Sequence, residues 1–234
     1  MSQIIHIAVK EFKDYFISPI AYIVIAMFLV VTGWFFFSTF FLFDRADMRN
    51  FFSLLPMIFS FVIPAITMRL FSEEMNVGSY ETLLTLPVSF TDIAIGKFIA
   101  AVSFTACMLL PTISYPIFIS MVGTLDPGPV IGGYIGAILL AGAYCAIGIF
   151  ASCLTRNQIV AFIIGASFCF TLTIIDKLLF FVPGFLTGVV GFLGADSHFQ
   201  SIAKGVIDSR DIIYFLSVMF LGLFGTYLVM QERN

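Results

Sequence analysis

RLFSEEMNVGSYETLLTLPVSFTDIAIGK, residues 69–97, is a polar stretch between two long apolar runs. It carries adjacent glutamates at Glu73 and Glu74, then Gly78-Ser79-Tyr80-Glu81, a leucine pair at Leu83 and Leu84, and Pro87. The runs on either side, residues 51–69 and 98–122, are close to or above the roughly 20 apolar residues a helix needs to cross a hydrocarbon core. The stretch therefore reads as a link that its charges hold outside the bilayer, and its flanks read as membrane spans. That reading sets the fold class: an all-α integral membrane protein.

Composition agrees. Of 234 residues, 60% are hydrophobic and only 11% charged, with a mean hydropathy of +1.08. A soluble domain carries about 25% charged residues. A net charge of -3 gives no electrostatic case for nucleic acid. Cys107, Cys145, Cys153 and Cys169 lie inside apolar runs without a CxxC pair, so they read as buried small hydrophobes rather than a disulfide framework or metal site.

Six spans are expected, over residues 19–43, 51–69, 98–122, 130–154, 159–175 and 212–230. Pro56, Pro64, Pro111 and Pro116 fall inside spans and predict kinks rather than ends. An even count puts both termini on one side. Ahead of the first span, residues 1–17 predict an amphipathic helix lying in the interface plane, with Ile5, Ala8, Phe12, Tyr15 and Phe16 on one face and Gln3, His6, Lys10 and Lys13 on the other. Charges within this segment and the lack of a small-residue cleavage site argue against a signal peptide. Gly132 and Gly136 form a GxxxG on the fourth span, read as a close-packing device within the chain.

Charge alone hardly orients the protein. With the termini inside, Lys10, Lys13, Arg69, Lys97, Arg156 and Arg233 lie inside, against Arg45, Arg49, Lys177, Lys204 and Arg210 outside, a slight positive-inside bias. Residues 178–194 are apolar but broken by Pro183-Gly184, Gly188, Gly191 and Gly194. A pair of short interfacial or re-entrant helices on the outer side fits them better than a seventh span. A polar amphipathic link follows, so that residues 178–211 form one outer segment. His198 in that link has no Cys or second His nearby and reads as a surface or capping residue.

No catalytic motif appears: no G-x-S-x-G, no H-E-x-x-H, no sensible Ser/His/Asp set. The IGK at residues 95–97 resembles the end of a phosphate-binding loop. Thr91 and Phe98 stand where that loop needs Gly and Ser/Thr, so the chain is expected to bind no nucleotide that way. Asp176-Lys177 reads as a solvated pair at the end of the fifth span rather than as an ion relay. Not being an enzyme is the expectation, with no metal or cofactor held in the chain.

Within residues 72–92, Ser79 is placed to cap a short helix with Glu81 in its first turn and Pro87 closing it. Ser89 and Asp92 then have the spacing of a capping box that starts the helix into the third span. The short helix would present Tyr80, Leu83 and Leu84 to a partner groove, with Glu73, Glu74 and Glu81 as acceptors for the partner's basic residues.

Arg69, the paired glutamates, Gly78-Ser79, Glu81, Leu83-Leu84, Pro87-Val88 and Gly96-Lys97 together resemble the pattern of type-2 ABC exporter permeases. Residues 197–215 resemble that family's run into its last span, and KEFKDYFISPIAYIV, residues 10–24, is similar to its gliding-motility branch. The resemblance covers essentially the whole chain, as one permease domain over residues 1–234. It implies a bacterial inner-membrane, multi-pass subunit with both termini and the 72–92 link cytoplasmic. It further implies two copies of a separate ABC ATPase that bind ATP and magnesium, a second permease copy or relative that pairs through the first and fifth spans, and in some branches a periplasmic or membrane accessory subunit. The function implied is export driven by the partner's ATP hydrolysis. The alternative is a non-transporting scaffold or mechanotransmitter for an envelope machine.

Overall fold

The computed structural model describes every residue except 1, 44–46, 79–87, 179–186, 207 and 234, and all regular structure among the described residues is helical. The helices are α1 (Ser2–Ile17), α2 (Pro19–Phe43), α3 (Arg49–Thr67), α4 (Arg69–Val77), α5 (Phe90–Leu109), α6 (Ser114–Val122), α7 (Pro127–Leu154), α8 (Gln158–Ile174), α9 (Thr187–Leu193), α10 (Ala195–Ala203) and α11 (Ser209–Glu232). Among the described residues, five stretches are long and apolar enough to cross a membrane: 19–38, 49–77, 90–122, 127–154 and 209–232. α8, expected as the fifth span, is apolar but only 17 residues long, at the lower edge of what a bilayer requires.

Local chemistry explains where the helices begin. Ser89 accepts from the Asp92 backbone N–H at 3.2 Å and caps α5, as the S-x-x-D spacing predicts. Asp126, Asn157 and Asp208 cap α7, α8 and α11 in the same way. α5 starts at Phe90, eight residues before the expected edge of the third span, so Lys97 lies inside a helix rather than in a loop. Pro111 converts the chain to a 3-10 turn over Leu110–Ile113 before α6 continues, because proline removes a donor and crowds the preceding turn. Pro56 and Pro64 are accommodated inside α3.

α7 is the centre of the bundle: 72% of its most apolar stretch is buried, against 28% for α2 and 17% for α11. α7 contacts α3, α5, α8, α10 and α11. Small residues set these distances. A side chain at Gly222 of α11 would meet the Ala146 backbone of α7 at 2.8 Å, and one at Gly148 of α7 would overlap Thr67 of α3. Gly132 and Gly136 seat Phe199 and Ile202 of α10, so the GxxxG packs within the chain.

The two ends of the bundle carry different charges. Glu11 of α1 meets Lys97 at one end, and Arg233, just after α11, reaches Met75 Sδ and the Leu154 carbonyl at that same end. Lys177, Asp196, Asp211 and His198 gather at the other.

A buried ion cluster as the candidate functional site

The polar stretch enters the fold as α4, which follows α3 with only Met68 between them. Met68 gives α4 no side-chain cap, which leaves first-turn donors without partners. Ser152 of α7 supplies what is missing. Its Oγ accepts from the Phe71 and Ser72 N–H groups, both at 3.0 Å, and donates to the Met68 carbonyl at 2.7 Å. Ser152 and both N–H groups are buried, so Ser152→Ala would leave two N–H groups unsatisfied. The expected cost is about 1–3 kcal/mol, read as a lower melting temperature in detergent; an unchanged melting temperature would show that α4 needs no cap from α7.

α4 then places Glu73 and Glu74 on two different cations. Glu73 takes Arg69 in a two-point ion pair, Nε to Oε2 at 2.7 Å and Nη2 to Oε1 at 3.1 Å, one turn apart on the same helix. Arg69 also donates to Ser18 Oγ, between α1 and α2, at 3.3 Å. Glu74 takes Lys97, whose Nζ lies 2.7 Å from Glu74 Oε1, 2.9 Å from Glu11 Oε1 and 2.8 Å from the Leu70 carbonyl.

Lys97 is fully buried. Its three ammonium protons match these three acceptors, and its Nζ also lies 5.0 Å from the centre of the Phe71 ring, a favourable cation–π placement. One side chain thus ties three elements together: α1 through Glu11, α4 through Glu74 and Leu70, and α5 through its own backbone. Gly96 allows this approach, since a side chain there would meet Ile7 of α1 at 2.7 Å.

α1 is held by ring contacts as well. Tyr15 and Phe16 lie 4.7 and 5.5 Å from Phe104 of α5, and the Tyr15 hydroxyl donates to the Ile66 carbonyl at 3.3 Å. Burial pushes the Tyr15 phenol well above its ordinary range, so it remains a neutral donor. The residues expected to line the interfacial face of α1 divide: Phe12 and Phe16 pack against the core, while Ile5 is 58% exposed. A cavity of about 290 Å³ opens between α1 and α2, with Lys10, Asp14, Arg69 and Glu73 around it and Val24 and Ile66 as apolar wall.

Of the other residues expected at the link, Gly78 ends α4 in the left-handed conformation at φ 83°, which glycine adopts without strain. Ser79, Tyr80, Glu81, Leu83, Leu84 and Pro87 lie outside the described residues. The sequence did not reveal the Lys97–Glu11–Glu74 cluster, although it held a signal: a lone lysine inside an apolar helix is costly and marks a partnered site. His198 departs from the surface role expected of it. It is buried and bonded to Asp211. No group of three His, Cys, Asp or Glu that could hold a metal is found among the described residues; the Lys97 cluster is held by ion pairs.

Among curated proteins, none matches the chain. The model of the family described as ABC-2 family transporter protein matches residues 5–190, a range that contains most of α1, the polar link and Lys97 with its partners Glu11 and Glu74. A multi-pass helical chain with that match belongs to the ABC-2 transporter family, as the membrane-spanning permease component of an ABC transporter rather than its ATPase.

Proposed function

We propose that the chain couples ATP hydrolysis by two copies of a separate ABC ATPase, which bind ATP and magnesium, to export of a substrate across a bacterial inner membrane. In this reading it crosses six times, with α8 as the short fifth span, and both termini and the 72–92 link are cytoplasmic. The common end reached by α1 and Arg233 supports an even number of crossings. A second permease copy or relative would pack on the exposed faces of α2 and α8, the first and fifth spans, where Trp34, Met27, Ile163 and Phe168 are bare. The gliding-motility branch, and with it an accessory subunit, rests on the likeness of residues 10–24 alone.

The observation that carries the proposal is Lys97. It pins the outgoing helix α4 to the returning helix α5 and both to α1, so the ends of α4 and α5 that flank residues 79–87 form a rigid base. Force applied to the 72–92 link by a docked ATPase would pass into three helices at once. Glu73 and Glu74 are engaged by Arg69 and Lys97 and serve by stiffening this base, leaving Tyr80, Glu81, Leu83 and Leu84 as the contact surface.

Changing both Leu83 and Leu84 to Ser should release the ATPase or uncouple it. Buried interface anchors are worth about 2 kcal/mol or more each, roughly 30-fold in affinity. Copurification with the ATPase and substrate-stimulated ATP hydrolysis measure the effect. A double variant that retains a fully coupled ATPase would reduce the stretch to a linker. A wild-type complex that hydrolyses ATP in response to an envelope partner, yet moves no compound, would favour the mechanotransmitter instead.

A further inference from the structure

At the end of the bundle opposite Lys97, α9 and α10 form a cap over the start of α11. His198 of α10 and Asp211 in the first turn of α11 are both buried. His198 Nδ1 lies 2.6 Å from Asp211 Oδ1, and its Nε2 lies 3.0 Å from the Phe192 carbonyl oxygen. The ring stacks on Tyr214 of α11, centres 4.2 Å apart, and Tyr214 donates to the Leu193 carbonyl at 2.7 Å.

Donor counting decides the protonation of this pair. A carbonyl oxygen only accepts, so Nε2 must carry a hydrogen. A neutral imidazole then has a bare Nδ1, and a bare nitrogen 2.6 Å from an ionised carboxylate would set two lone pairs against each other. The contact is attractive only with one further proton between the groups, as imidazolium with carboxylate or as imidazole with carboxylic acid.

We infer that His198 and Asp211 form a proton-binding site, and that the shared proton latches the α9–α10 cap to α11. Loss of the proton turns the contact from attractive to repulsive and loosens α10 from α11, while Phe199 and Ile202 still seat it on α7. A cavity of about 650 Å³, lined by Ser197, Ser201, Lys204 and Arg210 as well as by the pair, reaches the site and gives water a route to it. Other charged or titratable groups lie on the elements packed around the pair. They are Asp176 after α8, which accepts the Ser197 N–H at 2.9 Å, Asp196 and Lys204 from α10, and Asp208, Arg210 and Tyr214 from α11. Of the titratable groups on α7, Tyr134 bonds Thr112, Tyr144 bonds Thr173, Cys145 meets Thr105, and Cys153 lies toward the Lys97 end; α3 carries Arg49, paired with Asp47, and α8 carries Cys169. None of these replaces the proton between Nδ1 and Oδ1, because Asp211 is the group bonded to Nδ1.

The chain has two histidines, so His6→Gln isolates His198 for magnetic resonance in lipid. Nitrogen-15 shifts of His198 and the carbon-13 shift of the Asp211 carboxyl, read together at neutral pH, should show the extra proton on one of the two groups. A bare Nδ1 beside an ionised Asp211 would overturn the inference. Hydrogen exchange of the α10 amides, divided by the intrinsic rate, should accelerate about tenfold per pH unit once the proton is lost. Asp211→Asn, whose amide N–H can donate to Nδ1 without titrating, should keep α10 protected and remove the pH dependence. Identical pH profiles in wild type and Asp211→Asn would show that the pair is no latch.

Discussion

Lys97→Met should be the most damaging single substitution in the chain, costing about 3–5 kcal/mol, the usual consequence of leaving buried charges without their partner. Both Glu11 and Glu74 converge on Lys97 Nζ, so its removal leaves two carboxylates beside each other in a site that is largely shut off from water. Either they take up protons or α1 lifts away from α5. For a chain of this size the cost corresponds to a fall of about 6–20 °C in melting temperature, measurable in detergent by intrinsic fluorescence or by aggregation. The triple variant Glu11→Gln, Lys97→Met, Glu74→Gln should recover most of that loss, since apolar or neutral replacement of an entire buried ion cluster is often nearly neutral. A triple variant as unstable as Lys97→Met would mean that packing of the lysine stem, not its charge, matters. If the triple variant is stable but its ATPase is uncoupled, the charges act in transmission rather than in folding.

Gly222→Val should be the next most severe. The added Cβ would lie 2.8–2.9 Å from the backbone carbon, the backbone oxygen and the Cβ of Ala146. Backbone atoms in the centre of α7 cannot step aside, so α11 must shift outward as a body. Overpacking of this kind costs about 1–3 kcal/mol and occasionally more. Because α11 buries only 17% of its apolar stretch, close approach through Gly222 is much of what holds it. Loss of a crosslink between cysteines placed on α7 and α11, with a lowered melting temperature, would register the shift. Gly188→Ala serves as the control, since nothing lies within 4 Å of a Cβ there. Ala146→Gly should rescue Gly222→Ala only in part, as the Ala146 carbonyl remains in place. A Gly222→Val protein that retains both crosslink and stability would show that the helices are free to separate at little cost.

Much of the architecture could be read without coordinates. The apolar runs appear as helices, although α5 starts eight residues ahead of its run and that run is interrupted at Pro111, and the Ser89–Asp92 spacing starts α5 where the capping argument put it. Gly132 and Gly136 pack inside the chain as expected. The first face of α1 was legible as amphipathic, but not its partner: Phe12 and Phe16 turn toward protein while Ile5 remains exposed. The glutamates at 73 and 74 stood out as the most polar point of the link, yet nothing local indicates that one belongs to Arg69 and the other to a lysine 23 residues further on.

The sequence by itself determined which segments can enter a membrane and which must remain outside it. That outcome is local, because hydrocarbon acts as solvent on each run of about 20 residues separately and forces its backbone into helix. The tertiary structure alone decided which charges pair. Glu11 and Lys97 are 86 residues apart, and Phe71 finds its capping Ser152 across 81. Such contacts depend on the rotation and spacing of helices that have no hydrophobic drive to associate within lipid. Their arrangement is set by where glycines permit close approach and where buried polar groups find partners, and neither can be read from one segment alone.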